Sequence, residues 1–236
     1  MFHLDTAPHE YVDPWLIPLE MRVKQLFASE YRVAYFYEQP DNSTFRYRVY
    51  NMIQTIETID GMSASYFCLS EVDCLSEILS SIDVLIICRV RYTLSMNALI
   101  TRAKIKGVKV LFDVDDLVFD TQKVDLILNT LDQDLNHSDV WDYWFAYVGR
   151  LGALLRLCDG SIATNSYLGE MIGNFHDEEV TIIPNFLNRE QLDFSNFIYN
   201  EKLESNFKRT ENISIGYFSG TPSHNNDFAI VAEYLR

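Results

Sequence analysis

The stretch Val84-Leu85-Ile86-Ile87-Cys88 decides the fold class. Side chains alternate between the two faces of a β-strand, so a run of five apolar residues presents apolar side chains on both faces. A strand of this kind is stable when helices cover the sheet on both sides, as in parallel α/β sheets. The run is far shorter than the roughly 20 apolar residues that span a bilayer. It therefore predicts a buried central strand.

Similar β-rich runs recur on both sides of this strand, with helical stretches between them. Such alternation predicts an α/β fold: a doubly wound, Rossmann-like parallel sheet. The clearest helical stretch, residues 140–158, carries aromatic and aliphatic side chains at helical spacing, which favours packing on the sheet over lining a ligand groove. The predicted strands are residues 32–37, 64–69, 83–88, 108–112, 160–164, 180–183 and 213–218.

The order of these segments predicts a division of the chain into four parts. Residues 1–30 form an N-terminal helical extension, and residues 31–186 form the Rossmann-like domain. Residues 187–212 are polar and lack sustained periodicity, so we interpret them as a linker. Residues 213–236 contain one strand, a turn and one helix. A single unit of this kind cannot bury its own apolar face, so they are expected to begin a second, truncated Rossmann domain.

The composition excludes several classes of protein. With 48% hydrophobic residues the chain has enough apolar side chain for a sizeable core, and a disordered chain is excluded. Its 34 acidic and 19 basic residues give a formal charge of −15, which repels nucleic-acid phosphates and predicts no nucleic-acid partner. The N-terminus lacks the basic start and apolar run of a signal peptide, which predicts a cytoplasmic location. Any membrane contact is expected to be peripheral.

The four cysteines show no metal-binding or redox spacing. Cys68, Cys74, Cys88 and Cys158 contain no C-x-x-C pair, and Cys88 lies in the apolar run. Because free cysteine behaves as a small hydrophobic residue, we expect the four thiols to be reduced, buried and structural.

Candidate ligand-binding residues are those that follow the strands, because open α/β sheets bind ligands beyond the carboxyl ends of their strands. Arg46 and Arg48 lie in a helix after the first strand. Guanidinium groups in this position suit a phosphate or carboxylate, which makes both arginines candidate acceptor-binding residues. Pairing with acids of this acidic chain is an equal alternative.

The acidic run at residues 113–120, with the sequence DVDDLVFD, is the sharpest local signal in the chain. Carboxylates this close together repel one another unless they bind a cation, accept hydrogen bonds from sugar hydroxyls or cap a helix. Asp113, Asp115 and Asp116 are therefore candidate catalytic residues. A divalent cation would suit such oxygen ligands, but clustered acids alone do not predict a metal.

Two further turns carry short polar side chains. Asn165 and Ser166 follow the fifth strand and either cap the next helix, which their residue types favour, or face the cleft as acceptor-binding residues. The last turn places backbone N–H groups at the start of a helix, which suits a diphosphate. It matches neither a Walker loop nor the G-x-G-x-x-G fingerprint, so nicotinamide cofactors and P-loop chemistry are not predicted. The candidate donor-binding residues of this turn are Ser219, Gly220, Thr221 and His224.

Five segments together resemble the bacterial GT-B glycosyltransferases of family 1 or family 4. The resemblance runs from about residue 31 to the C-terminus, and its most specific parts are the acidic run and the stretch GYFSGTP. The segments are residues 45–48 (FRYR), 113–120 (DVDDLVFD), 163–166 (ATNS), 182–185 (IIPN) and 215–224 (IGYFSGTPSH).

The resemblance implies transfer of a sugar from a nucleotide-sugar donor to a glycan or lipid-linked glycan, in surface polysaccharide or glycoconjugate biosynthesis. It implies that Arg46, Asp113, Asp115 and Asp116 face the acceptor and that Ser219, Gly220 and Thr221 lie near the donor diphosphate. It implies no cofactor other than the donor substrate and no metal. The paired-glutamate and basic donor region of the family does not occur in this sequence, so the chain alone is expected to be inactive and a partner glycosyltransferase chain stays open.

Two other interpretations fit parts of the sequence. One is a noncatalytic scaffold derived from a glycosyltransferase, in which the Rossmann-like half binds a glycan or a partner. The other is a flavodoxin-like receiver domain, suggested by the acids at strand ends. That interpretation requires a lysine at a later strand end, and none follows the fifth strand.

Overall fold

A computed structural model describes residues 13–40, 44–130 and 134–208 of the chain, together with residues 230, 232 and 234. Six parallel strands of this described part form one sheet with the order β2-β1-β3-β4-β5-β6. The predicted α/β class with a Rossmann-like parallel sheet is confirmed. The strands are β1 Tyr31–Tyr37, β2 Met62–Cys68, β3 Val84–Cys88, β4 Lys109–Val114, β5 Ser161–Ala163 and β6 Val180–Ile182.

All six strands lie where the sequence predicts them, to within two residues at each end. The largest consequence concerns β4, which extends past the predicted end at residue 112 and includes Asp113. Asp113 is therefore a buried strand residue and not, as its position in the acidic run predicted, a residue that follows the strand. The predicted seventh strand and the domain start at residues 213–236 lie outside the residues that the structure describes, apart from residues 230, 232 and 234.

Helices connect the strands and cover both faces of the sheet. The α-helices of the described residues are α1 Leu19–Leu26, α2 Asn51–Ile56, α3 Val72–Ile78, α4 Leu94–Ile105, α5 Val124–Leu128, α6 Ser138–Leu155, α7 Ser166–Phe175 and α8 Arg189–Glu204. A π-helical turn, Arg46–Tyr50, leads directly into α2. A short 3-10 turn, Thr121–Lys123, precedes α5.

The core has one layer on each face of the sheet. On the first face, Leu85 and Ile87 of β3 join buried side chains of α3, α4, α6 and α7. On the second face, Ile86 and Cys88 join Trp15 and the π-helical turn with α2. Successive residues of the decisive strand thus pack into opposite layers, as its uninterrupted apolar sequence predicted.

The N-terminal helix α1 is fixed to the edge strand β2. Leu26 is fully buried, whereas Met21 and Phe27 are exposed. Arg22 holds the helix in place by donating to the carbonyl oxygen of Tyr66 at 2.7 Å and by pairing with Glu71. An arginine therefore contributes to the attachment of α1 alongside the apolar side chain of Leu26.

Helix α6 follows the prediction for residues 140–158 and packs closely on the segment after β4. An ideal Cβ at Gly152 would lie 2.1 Å from the carbonyl oxygen of Phe119 and 2.8 Å from Cζ of Phe175. The absence of a side chain at Gly152 thus allows this close approach. Val148, Leu151 and Leu155 of the predicted stripe are buried, whereas Phe145 of the same stripe is 46% exposed.

The segment interpreted as a linker contains helix α8. Its N-terminus is capped by Asn188, whose side chain accepts from the N–H of Gln191 at 2.7 Å. No residue of α8 is buried, so its apolar residues lack the one-sided pattern that would have predicted a helix. The division into domains stays a prediction.

The cysteine prediction is partly confirmed. All four thiols are free; Cys68, Cys88 and Cys158 are buried, and Cys74 is half-buried. Among the described residues, no helix is long and apolar enough to cross a membrane.

Candidate functional site at the carboxyl edge of the sheet

The sheet reverses its winding direction between β1 and β3, since the chain runs from β1 outward to β2 and then returns to β3 on the other side. The connections on the two sides of such a switch point lie on opposite faces of the sheet and leave a crevice beyond the strand ends. Glu38 directly follows β1, and Arg89 and Arg91 follow β3. Asp115 and Asp116 follow the adjacent β4.

Arg48 and Asp113 form a buried ion pair at this edge of the sheet. Nε and Nη2 of Arg48 donate to the two carboxylate oxygens of Asp113, at 2.8 and 2.9 Å. Nη1 of Arg48 donates to the carbonyl oxygen of Ile183 at 2.7 Å and to Oδ1 of Asn185 at 3.2 Å. The side chains are 0% and 1% exposed. One guanidinium group therefore joins the π-helical turn, β4 and the segment after β6.

The electrostatics of the pair agree with a structural role. Burial raises the pKa of the Asp113 carboxyl to about 6, although Arg48 opposes this shift. Burial lowers the pKa of Arg48, but Asp113 outweighs this effect and raises it overall, so the guanidinium stays charged. Both carboxylate oxygens of Asp113 are occupied by Arg48. The geometry thus favours positioning over contact with a substrate, and a catalytic role of Asp113 stays a prediction.

Arg89 is the centre of the exposed part of the site. Its Nη1 donates to Oδ1 of Asp115 at 3.2 Å, to Oδ2 of Asp116 at 2.8 Å and to Oγ1 of Thr44 at 3.2 Å. The Thr44 hydroxyl donates in turn to Oδ2 of Asp115 at 2.8 Å. One cation therefore offsets the repulsion between two neighbouring carboxylates, and Arg89 provides the compensation that the acidic run requires.

The backbone of Arg89 is strained. Its φ of 49° lies in the left-handed region, which costs a non-glycine residue roughly 1–2 kcal/mol. The N–H of Arg89 donates to the carbonyl oxygen of Asp113 at 2.9 Å, so the turn is closed against β4. Burial lowers the pKa of Arg89, but Asp115, Tyr147 and Asp116 raise it overall. Strain of this kind at a strand end is typical of functional sites.

A second ion pair spans the switch point itself. Nε and Nη2 of Arg91 each donate to one carboxylate oxygen of Glu38, both at 2.7 Å. The guanidinium carbon of Arg91 lies 5.5 Å from the centroid of the Tyr147 ring of α6. The pair connects the ends of β1 and β3, and about a third of each side chain is exposed. It therefore lies where ligands of open α/β sheets bind.

The other predicted acceptor-binding residues lie in different surroundings. Oδ1 of Asn165 accepts from the N–H of Leu168 at 2.9 Å and caps α7, which confirms the capping alternative. Ser166 begins α7 and is exposed. The guanidinium carbon of Arg46 lies 5.3 Å from the centroid of the Trp15 ring, in the second core layer. Their acceptor-binding roles stay predictions.

The predicted donor-binding residues Ser219, Gly220, Thr221 and His224 lie outside the residues that the structure describes. Within the described part of the chain, no group of three or more His, Cys, Asp or Glu side chains is arranged to hold a metal ion.

Sequence reasoning missed Arg89, Arg91 and Thr44. The position of the two arginines in the sequence indicated a candidate site, because Arg89 and Arg91 directly follow the most strongly predicted strand of the chain. The rule that drew attention to the acids after β4 applies equally to the two arginines after β3.

No protein-family model and no curated protein sequence matches the chain. Among solved structures, a phosphoglycerate oxidoreductase from Vibrio cholerae O395 is similar over 63% of this chain and 60% of that chain, with 11% sequence identity and a TM-score of 0.25. A similarity this low carries no argument about substrate or reaction.

The described site offers carboxylate oxygens as hydrogen-bond acceptors. The side chain of Asp116 is 58% exposed and that of Asp115 is 16% exposed, so Asp116 is the more accessible of the two. A carboxylate fixed by a guanidinium group can accept a hydrogen bond from a hydroxyl or, in a suitable complex, its proton. The geometry assigns positioning to Arg89 and Thr44.

Proposed function

We propose that this chain is the acceptor-side part of a nucleotide-sugar-dependent glycosyltransferase. The single observation that carries the proposal is the Arg89 network, which places Asp115 and Asp116 at the carboxyl edge of a doubly wound parallel sheet, next to the switch point. Ligands of open α/β sheets bind at this position. The resemblance of five sequence segments to GT-B enzymes adds the reaction class.

In the proposed reaction, Asp116 accepts a hydrogen bond from the attacking hydroxyl of a glycan or lipid-linked glycan and takes up its proton. The hydroxyl oxygen then bonds to the anomeric carbon of the donor sugar, and the bond from that carbon to the nucleoside diphosphate breaks, so the diphosphate leaves as an anion. Asp115 places a second carboxylate on the acceptor side. Arg89 and Thr44 hold Asp115 in place by donating hydrogen bonds to it. The Arg48–Asp113 pair supports the same edge from below. The nucleotide-sugar is assigned to Ser219, Gly220, Thr221 and His224, as the sequence resemblance implies.

A titration of the purified chain against UDP-, GDP- and dTDP-sugars and a panel of neutral oligosaccharides tests the proposal, by calorimetry or ligand-observed NMR. We expect Asp116→Asn to weaken oligosaccharide binding by about tenfold, the loss of one hydrogen bond to a charged group. Gly220→Trp is expected to abolish binding of the nucleotide-sugar. Asp73→Asn, which removes an exposed acid of α3, is the matched control and should leave both affinities unchanged.

The noncatalytic scaffold is the second candidate, and a specific observation favours it. Helix α8 carries large apolar side chains that are 44–54% exposed, with no buried residue along its length. A partner that covered several of these side chains would bury apolar surface that is exposed in this structure. Absence of binding across the whole panel would favour this candidate over the enzyme. The exposed side chains are Leu192, Phe194, Phe197, Tyr199 and Leu203.

A further inference from the structure

A pocket lies apart from the carboxyl-edge site. It has a volume of about 440 Å³ and opens between the 3-10 turn Thr121–Lys123, the end of α6 and the end of α7. None of its lining residues belongs to the network around Arg89. The pocket is therefore a separate candidate binding site.

Two cations converge on this pocket. Lys123 comes from the 3-10 turn and Arg156 from the C-terminal cap of α6, and both line the cavity. Neither belongs to an ion pair among the described residues. Asp120 also lines the pocket, where its Oδ1 accepts from the N–H of Gln122 at 2.9 Å. The lining thus has two cations and one anion, a local excess of positive charge in a chain of net charge −15.

Arg156 is held so that most of its donors stay available. Its Nη2 donates to the carbonyl oxygen of Phe175 at 3.3 Å, and its guanidinium carbon lies 4.2 Å from the centroid of the Phe175 ring. A guanidinium group has five N–H donors in a fixed plane, and a single contact of 3.3 Å leaves the others for a ligand. Stacking on the ring fixes the plane of the group, which lowers the entropy lost when it binds an oxyanion.

The rest of the lining provides neutral donors and an apolar wall. Thr121, Gln122 and Asn174 contribute a hydroxyl and two amides, which can donate to an oxyanion. Met171 and Phe175 contribute apolar surface on the α7 side. A tetrahedral oxyanion with several acceptor oxygens suits a donor set of this size better than a planar carboxylate with two.

We propose that this pocket binds the phosphate group of a small phosphomonoester, with the phosphate between Lys123 and Arg156 and the organic part against Met171 and Phe175. This site is independent of the proposed glycosyl transfer.

Two-dimensional ¹H–¹⁵N NMR titrations of the whole chain with inorganic phosphate, phenyl phosphate and benzoate test the proposal. We expect saturable shifts at Lys123, Arg156 and Asn174, with phenyl phosphate binding more tightly than phosphate or benzoate. Lys123→Gln is expected to weaken phenyl phosphate binding by about tenfold, as expected for the loss of a charge-assisted contact. Lys106→Gln is the matched control, because Lys106 is exposed and donates to Ser80 outside the pocket.

Arg156→Lys keeps the charge but removes the planar donor set. This variant is therefore expected to weaken the binding of phenyl phosphate more than the binding of benzoate. A thermal unfolding curve of each variant shows that the fold is retained. The proposal is overturned if phenyl phosphate causes no saturable shift at the pocket, if benzoate binds as tightly as phenyl phosphate, or if Lys106→Gln weakens binding as much as Lys123→Gln.

Discussion

The Arg48 guanidinium binds both carboxylate oxygens of Asp113 in the interior of the protein, at 2.8 and 2.9 Å. The same guanidinium group reaches Ile183 and Asn185, beyond the end of β6. It therefore connects three segments that are distant in sequence, directly below the edge where the proposed site lies. A buried pair of this kind is weak evidence for net stability, but loss of one partner leaves a buried charge without compensation.

Arg48→Met is expected to destabilise the protein by about 3–5 kcal/mol, because Asp113 would lose the cation that compensates its charge. The double variant Arg48→Met/Asp113→Leu should lose less than the sum of the two single variants, since it removes both charges. Urea unfolding of the four proteins measures this coupling. Arg102→Met, an exposed arginine of α4, is the control. If the loss of unfolding free energy in the double variant equals the sum of the losses in the two single variants, the two side chains are not coupled, which would contradict the ion pair.

The sequence predicts the sheet well because strands covered on both faces leave an uninterrupted apolar signal. It predicts α8 poorly because no residue of that helix is buried, so its composition carries no one-sided pattern. For Arg48 the structure confirms the alternative that it pairs with an acid, but the sequence did not identify Asp113 as its partner. An arginine after β1 and an acid after a predicted strand end could each bind a ligand, and only the tertiary structure shows that Asp113 lies within β4 and on the same face as Arg48.

Gly152→Ala is expected to destabilise the protein by about 1–3 kcal/mol, the usual effect of overpacking. The added Cβ would lie 2.1 Å from the backbone oxygen of Phe119, which cannot move without shifting the segment after β4. Gly173→Ala is the matched control: it lies in α7, and its added Cβ would meet nothing within 4 Å. Since alanine favours helix, this variant should be equal to the wild type or more stable. Equal unfolding free energies for the two variants would rule out the close approach.

Arg89→Gly is expected to be more stable than Arg89→Ala, although glycine usually makes a protein less stable than alanine does at the same position. Alanine at a φ of 49° keeps the left-handed strain of roughly 1–2 kcal/mol, whereas glycine adopts this conformation without it. Both variants remove the guanidinium group, so the difference between their unfolding free energies reports the backbone strain alone. Arg91→Gly and Arg91→Ala form the control pair, because Arg91 does not have a positive φ, and should show the opposite order. Chemical unfolding of the four variants measures whether glycine or alanine gives the more stable protein at each position. A more stable alanine variant at position 89 would contradict the strain.

The contribution of Glu71 to stability is expected to depend on pH. Burial raises the pKa of its carboxyl, but hydrogen bonds from Arg22 and Cys68 outweigh burial and bring the pKa below its ordinary value of 4.5. A lowered pKa in the folded state means that the stabilisation is present above about pH 4.5 and is lost as the pH falls through the folded-state pKa. The unfolding free energy of wild type minus that of Glu71→Gln should therefore shrink upon acidification.

Glu77→Gln on α3 is the control for this comparison, since Glu77 is exposed and has no ion pair among the described residues. A difference between wild type and Glu71→Gln that is constant from pH 7 to below pH 4 would contradict the lowered pKa of Glu71.

The candidate site was predicted only in part from the sequence. Asp115 and Asp116 were identified because clustered acids need compensation, and the structure supplies Arg89 as the compensating cation. Arg89 and Arg91 were recoverable by the same rule about strand ends. The contacts of Thr44 and Tyr147 were not, because both residues are far from β3 and β4 in the sequence and meet the site only through the packing of the π-helical turn and of α6.

Mapping sugar ligands onto the chain by ¹H–¹⁵N NMR tests the central claim most directly. The claim is that the edge beyond β3 and β4 is an acceptor site. We expect saturating oligosaccharide to shift the backbone amides of Arg89, Asp115 and Asp116, and we expect Asp116→Asn to reduce these shifts at the same ligand concentration. Saturable shifts confined to residues elsewhere in the chain, or no shifts with any member of the panel, would contradict the assignment of this edge to glycosyl transfer.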